Sequence, residues 1–150
     1  MKRLRLLLLV FAFLLSSTSC SGYNSIMREH LGNEENYYAI NATFDSYAEI
    51  DDSIYLYVST EERSAFDISE TSNEKLRLEL VGHNCDTLRT FLAEEIHKGD
   101  TLAIKCSTWI YMDSQFYYVA EIRMQDKTIL SFEDGLQNII AYICNQRSLF

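Results

Sequence analysis

Proline is absent from the 150 residues, and the five glycines stand singly. The first absence leaves no Pro-rich extended spacer. The second removes the P-loop, the dinucleotide fingerprint and the G-x-S-x-G nucleophile elbow, which need glycines at fixed spacings so that the backbone can turn sharply or approach a ligand. Positive charge is also scarce: 13 Lys and Arg stand against 22 Asp and Glu, for a net charge of −9. The basic residues are scattered, whereas counterion release from a phosphate backbone needs them clustered, so nucleic acid is not an expected partner. Cys20, Cys85, Cys106 and Cys144 show neither C-x-x-C nor Cys/His ligand spacing, so neither a metal site nor any cofactor is expected.

Catalytic residues are equally hard to find, and none is assigned. Of His30, His83 and His97, only His83 has polar company, in the corner His83-Asn84-Cys85-Asp86. A nucleophile and its base must sit in hydrogen-bond reach with a third group orienting the base, an arrangement that adjacent corner residues seldom make. The acidic pairs Glu34-Glu35, Asp51-Asp52, Glu61-Glu62, Glu94-Glu95 and Glu133-Asp134 fall at turns and polar helix faces. General acid/base chemistry needs carboxyls facing each other across a cleft, so these pairs read as solvated surface.

What is present begins at the N-terminus. Lys2, Arg3 and Arg5 precede an apolar run from Leu6 to Leu15, and Ser16 to Ser19 supply small residues before Cys20. That order is the secretory pattern. Ten residues of helix span roughly 15 Å, about half the hydrocarbon thickness of a bilayer, so the run is too short to cross. On these residues the leader resembles bacterial lipoprotein precursors, which are cut just before a cysteine that then carries acyl chains. The resemblance covers residues 1–20 alone. It departs from the usual pattern at Ser17, where Leu, Val or Ile is common; Ser17 and Ser19 also suit an ordinary leader peptidase. It implies a signal peptide at 1–19, acylation of Cys20, and a bacterial envelope protein anchored to a membrane by its N-terminal lipid. Loss of the three basic leader residues would take the mature net charge from −9 to −12.

Residues 20–36 are polar and read as a tether, with a short helical turn around Ile26 to Leu31; residues 37–150 read as one domain. There the hydrophobic period becomes two. Tyr38, Ile40, Ala42, Phe44, Ala48 and Ile50 alternate with Tyr37, Asn41, Thr43, Asp45, Tyr47 and Glu49. Further strands are expected at Ile54–Val58, Leu76–Leu80, Leu102–Cys106, Phe116–Met124 and Thr128–Phe132. A helix is predicted over 86–98, capped by Asp86 and by Gly99, and another over 134–146, capped by Ser131 or Asp134. The fold class is thus mainly β with two helices (α+β). Three strands, a helix and two strands is the order of the OB-fold, a small antiparallel β-barrel; an extra strand and a C-terminal helix follow here. Cys85, Cys106 and Cys144 allow three single disulfides or none, and buried thiols are the simpler expectation.

Aromatic residues are plentiful: ten Tyr, eight Phe and one Trp. Strand parity places Tyr47, Tyr55 and Tyr57 on the outward face of the first hairpin and Tyr117 outward on the fifth strand. Trp109 and Tyr111 fall in the connection before that strand. These six are the candidate ligand-binding residues, although outward tyrosines also stabilise sheets by cross-strand pairing. The sequence therefore predicts a non-enzymatic binding module for a protein or glycan, with the acid excess favouring a basic protein, as an inhibitor or immunity protein would require. An envelope hydrolase or enzyme accessory using the His83–Asp86 corner, or a structural lipoprotein without a small ligand, are the alternatives.

Overall fold

The computed structural model describes residues 28–51, 53–62, 66, 75–82, 86–111 and 114–147. The leader, Cys20 and the His83-Asn84-Cys85 corner lie outside the described residues.

Six strands form one sheet: β1 (Tyr37–Ile50), β2 (Ser53–Thr60), β3 (Leu76–Val81), β4 (Thr101–Tyr111), β5 (Ser114–Met124) and β6 (Lys127–Leu130). The helices are α1 (Asp86–Glu94) and α2 (Phe132–Arg147), with a helical stretch at 28–32 and a 3-10 turn at Glu34–Asn36 before β1. The sheet order is β3-β2-β1-β4-β5-β6, and every neighbouring pair is antiparallel. β3 also meets β5 in parallel, at Glu79 and Tyr118, so the strands ring round. One row of partners runs Tyr37–Ser107–Tyr118–Glu79–Tyr55–Ala48 through five strands and returns to β1 eleven residues further on.

Alternation explains the interior. Ile40, Ala42 and Phe44 of β1, Ile54, Leu56 and Val58 of β2, and Leu76, Leu78 and Leu80 of β3 face one core with Leu102, Ile104 and Cys106 of β4. Leu88, Phe91 and Leu92 of α1, with Ile96, join this core. α2 lies elsewhere. Its Ile139, Ile140 and Ile143 pack with Val81, Tyr118, Ala120, Tyr37 and Leu31 in a second cluster on the outer side of the ring. Leu31, inside the stretch read as tether, is thus buried, and its carbonyl accepts the Tyr37 hydroxyl at 2.8 Å.

Two bulges overturn part of the predicted alternation. On β1, Phe44 pairs with Val58 but Ser46 pairs with Tyr57, leaving Asp45 as the extra residue. On β5, Val119 pairs with Cys106 and Glu121 with Lys105, leaving Ala120 extra. An extra residue reverses the facing of everything beyond it. Tyr47, expected outward, therefore shares the face of Leu56 and packs on the core, while Ile50, expected inward, is 52% exposed. Tyr117, also expected outward, packs on the core and donates to the Phe66 carbonyl at 2.9 Å, whereas Tyr118 faces α2.

Helix boundaries also differ. α1 ends at Glu94, and the N–H groups of Glu95 and Ile96 both reach the Phe91 carbonyl. Gly99 does not cap it. With φ +101°, Gly99 occupies the third position of a His97–Asp100 turn, closed by Asp100 N–H to the His97 carbonyl at 3.0 Å. Gly99 N–H in turn donates to the Phe44 carbonyl at 2.8 Å, so the turn is stitched to β1 and the helix cannot run through it. α2 starts at Phe132 rather than near 134. Ser131 is its cap, accepting the Asp134 N–H at 3.2 Å, which shortens β6.

Candidate functional site

The outer face of β1–β2–β3 consists of three rows set by register: Ser46–Tyr57–Arg77, Ala48–Tyr55–Glu79 and Ile50–Ser53–Val81. β1 turns into β2 where Ile50 pairs with Ser53, and Asp51 there has φ +53°, a conformation that Asp tolerates better than most residues. Beyond β3 the face passes under α2.

Glu79 anchors the middle row. It is 5% exposed, and its Oε1 accepts the Ser53 hydroxyl at 2.9 Å and the Tyr55 hydroxyl at 3.3 Å. Burial, then the negative charge of Glu79, raises the pKa of Tyr55. Burial also raises that of Tyr118, with Glu79 again contributing, and Tyr118 meets Tyr142 of α2 edge-on at 6.0 Å. The Arg77 guanidinium lies over the Tyr55 ring, 5.3 Å from its centroid. Tyr55 is thus held at its hydroxyl and covered on its ring. Tyr57 differs: it is half-buried, and its side chain makes no hydrogen bond or ring contact among the described residues.

At one end of this face the bulge residue Asp45 pairs with Lys75 and, at 2.7 Å, with Lys98. The bonds from Lys75, then Lys98, lower its pKa to about 2. A carboxyl with a depressed folded-state pKa stabilises the fold above its ordinary range near 4 and loses that contribution as pH falls toward 2. Asp45→Asn should therefore be less stable than the wild type at pH 6, and urea midpoints should converge toward pH 2. A constant gap would show that the pairing adds nothing.

A second concavity, of about 740 Å³, lies where β1 passes from β2 to β4 and is lined by Asn41, Ala42, Thr43, Ser59, Thr60, Glu61, Glu62 and Thr101. Thr60 shapes it, its hydroxyl donating to the Asn41 carbonyl at 3.3 Å and accepting the Glu62 N–H at 3.2 Å.

The six aromatic candidates do not share one site. Tyr55 and Tyr57 stand on the outer face; Tyr47 and Tyr117 pack on the core. Trp109 and Tyr111 belong to β4 by their backbone, and their side chains lie outside the described residues. Sequence reasoning missed Arg77 and Glu79, whose partners become visible only with strand register. Among the described residues, no three His, Cys, Asp or Glu side chains gather to hold a metal. Cys106 is a free thiol, and burial pushes its pKa up to about 12, far from the thiolate that nucleophilic attack needs. No protein-family model matches the sequence, and no curated protein is significantly similar to it.

Proposed function

We propose that this chain is a non-enzymatic binding module, exported and anchored at the bacterial cell envelope through Cys20, whose ligand face is the outer side of β1–β2–β3. The observation that carries the reading is the contrast within the hairpin: Tyr55 is fixed by Glu79 and Arg77, while Tyr57 beside it keeps its ring and hydroxyl uncommitted. An OB-like barrel accounts for the architecture. The parallel β3–β5 contact, the helix between β3 and β4, and the staggered return of one row to β1 all support it. By analogy with OB-folds, which bind on the face of strands two and three, the ligand would meet Tyr57 and Arg77. A protein or a glycan would be the ligand, since rigid tyrosines give contact area at low entropic cost. With the ligand captured from envelope extract by pull-down on the wild-type protein, Tyr57→Ala should weaken its binding by about 1 kcal/mol or more, as expected for a hot-spot residue, and leave thermal stability nearly unchanged.

A second reading has its own support. The groove at Asn41 to Thr43 carries Glu61 and Glu62, both exposed, and would suit a basic protein. Docking there would show strongly salt-dependent association, and loss of Glu61 and Glu62 would slow it.

Anchoring is separately testable. The full precursor should incorporate a fatty-acid analogue and fractionate with membranes, and Cys20→Ser should abolish both. A soluble, unlabelled wild type would contradict the anchor.

A further inference from the structure

We infer that Tyr57 and Arg77 form a subsite for an acidic sugar, Arg77 taking the carboxylate and Tyr57 the ring; this rests on the outer β1–β2–β3 face being the ligand face. The chain is strongly acidic, yet the residues paired with Tyr57 across the sheet, Ser46 and Arg77, carry no carboxylate. Lys75 and Lys98 share one carboxylate, Asp45, the neighbour of Ser46 in the chain. Glu79 is 5% exposed and already accepts two hydroxyls, so it does not face a ligand.

Arg77 pairs with no carboxylate among the described residues, unlike Arg89, Lys105 and Lys127, which hold Glu49, Glu121 and Glu95. Its guanidinium lies over the ring of Tyr55, whose hydroxyl Glu79 holds, so the fork has a fixed neighbour before any ligand arrives. A guanidinium held over a ring keeps its N–H groups for bidentate capture of a carboxylate. Tyr57 stands directly opposite Arg77 across the strand pair. Such positions have Cβ atoms about 5 Å apart, so one small ligand can meet both side chains. Ser46 and Ser59 flank Tyr57 with exposed hydroxyls. That of Ser46 donates to Asp45 at 3.2 Å and keeps its acceptor side, while a serine hydroxyl such as that of Ser59 both donates and accepts, as sugar hydroxyls do. A polyphosphate would be repelled by the net charge of −9, so the subsite suits one carboxylate at a time.

The test is a calorimetric titration of the full chain with the methyl glycoside of galacturonate, which carries one carboxylate, and with the uncharged methyl ester of that sugar. The acid should bind, and the ester about tenfold more weakly or worse, the size expected for hydrogen bonds to a charged group. Arg77→Gln should weaken the acid by about the same factor and leave the ester unchanged, while Tyr57→Ala should weaken both. Equal binding of acid and ester, no binding of the acid, or an Arg77→Gln variant that binds the acid like wild type would overturn the inference. An acidic peptide bound as tightly as the sugar, through Arg77, would overturn its sugar half. In any of these cases, loss of the captured ligand in Tyr57→Ala would leave the ligand face standing. Retention there would remove both.

Discussion

Gly135→Ala is expected to destabilise the protein by about 2–3 kcal/mol, although the same exchange inside an ordinary exposed helix gains roughly 1 kcal/mol. Gly135 lies in the first turn of α2, and a Cβ there would fall 2.0 Å from the carbonyl oxygen of Ala120 and 2.6 Å from its carbon. Ala120 is the bulge residue of β5, so the helix sits against backbone that cannot rotate aside. The clash outweighs the helix-propensity gain because α2 must lift, and lifting it opens the cluster of Ile139, Ile140 and Ile143 against Val81 and Tyr118. Gly32→Ala is the control: a Cβ there meets nothing within 4 Å, and its stability should stay within about 0.5 kcal/mol of wild type. Urea denaturation separates the two, with a lower midpoint and unchanged slope for Gly135→Ala. Equal midpoints would mean that α2 is not seated on the bulge.

Leu31→Ala should cost about 3 kcal/mol, within the range for a large apolar side chain removed from a core. Leu31 is 1% exposed and packs with Tyr37 and the isoleucines of α2. The neighbouring hydrogen bond from the Tyr37 hydroxyl to the Leu31 carbonyl closes the segment onto the domain. Were residues 28–36 merely a spacer, the substitution would be silent to about 0.5 kcal/mol, as at most surface positions. Thermal or urea unfolding distinguishes the two outcomes directly.

Strands were legible in the sequence wherever the alternation ran unbroken. β2 and β3 are short, turn Ile54, Leu56, Val58 and Leu76, Leu78, Leu80 to one face, and pair in a single register over Ser53 to Val58 and Leu76 to Val81. Bulges were not legible. Nothing in Phe44-Asp45-Ser46 announces that Asp45 is extra, and a one-residue slip sends Tyr47 inward and Ile50 outward. On β5 a signal existed: Tyr117 and Val119 are as apolar as Tyr118 and Ala120. A strand apolar on both faces is covered on both, here by the core and by α2. Gly99 was recognised as a positive-φ position but credited to a helix end, because the turn it serves depends on bonds to Phe44, a residue 55 positions away. The candidate face was half legible. Tyr55 and Tyr57 follow from parity, while the roles of Arg77 and Glu79 depend on a register that pairs β2 with β3.

The ligand face itself is tested most directly by photo-crosslinking in intact cells. A benzophenone-bearing residue replaces Tyr57, Glu61 or Ala103 in the full-length protein, one position at a time. These sites sample the outer face of β1–β2–β3, the acidic groove, and the exposed outer side of β4. A ligand seated on the hairpin should give a discrete adduct from position 57 that an excess of free ligand-bearing envelope extract competes away, with none from 103. Adducts from 61 without 57 would move the site to the acidic groove, and adducts from 103 alone would contradict the account altogether.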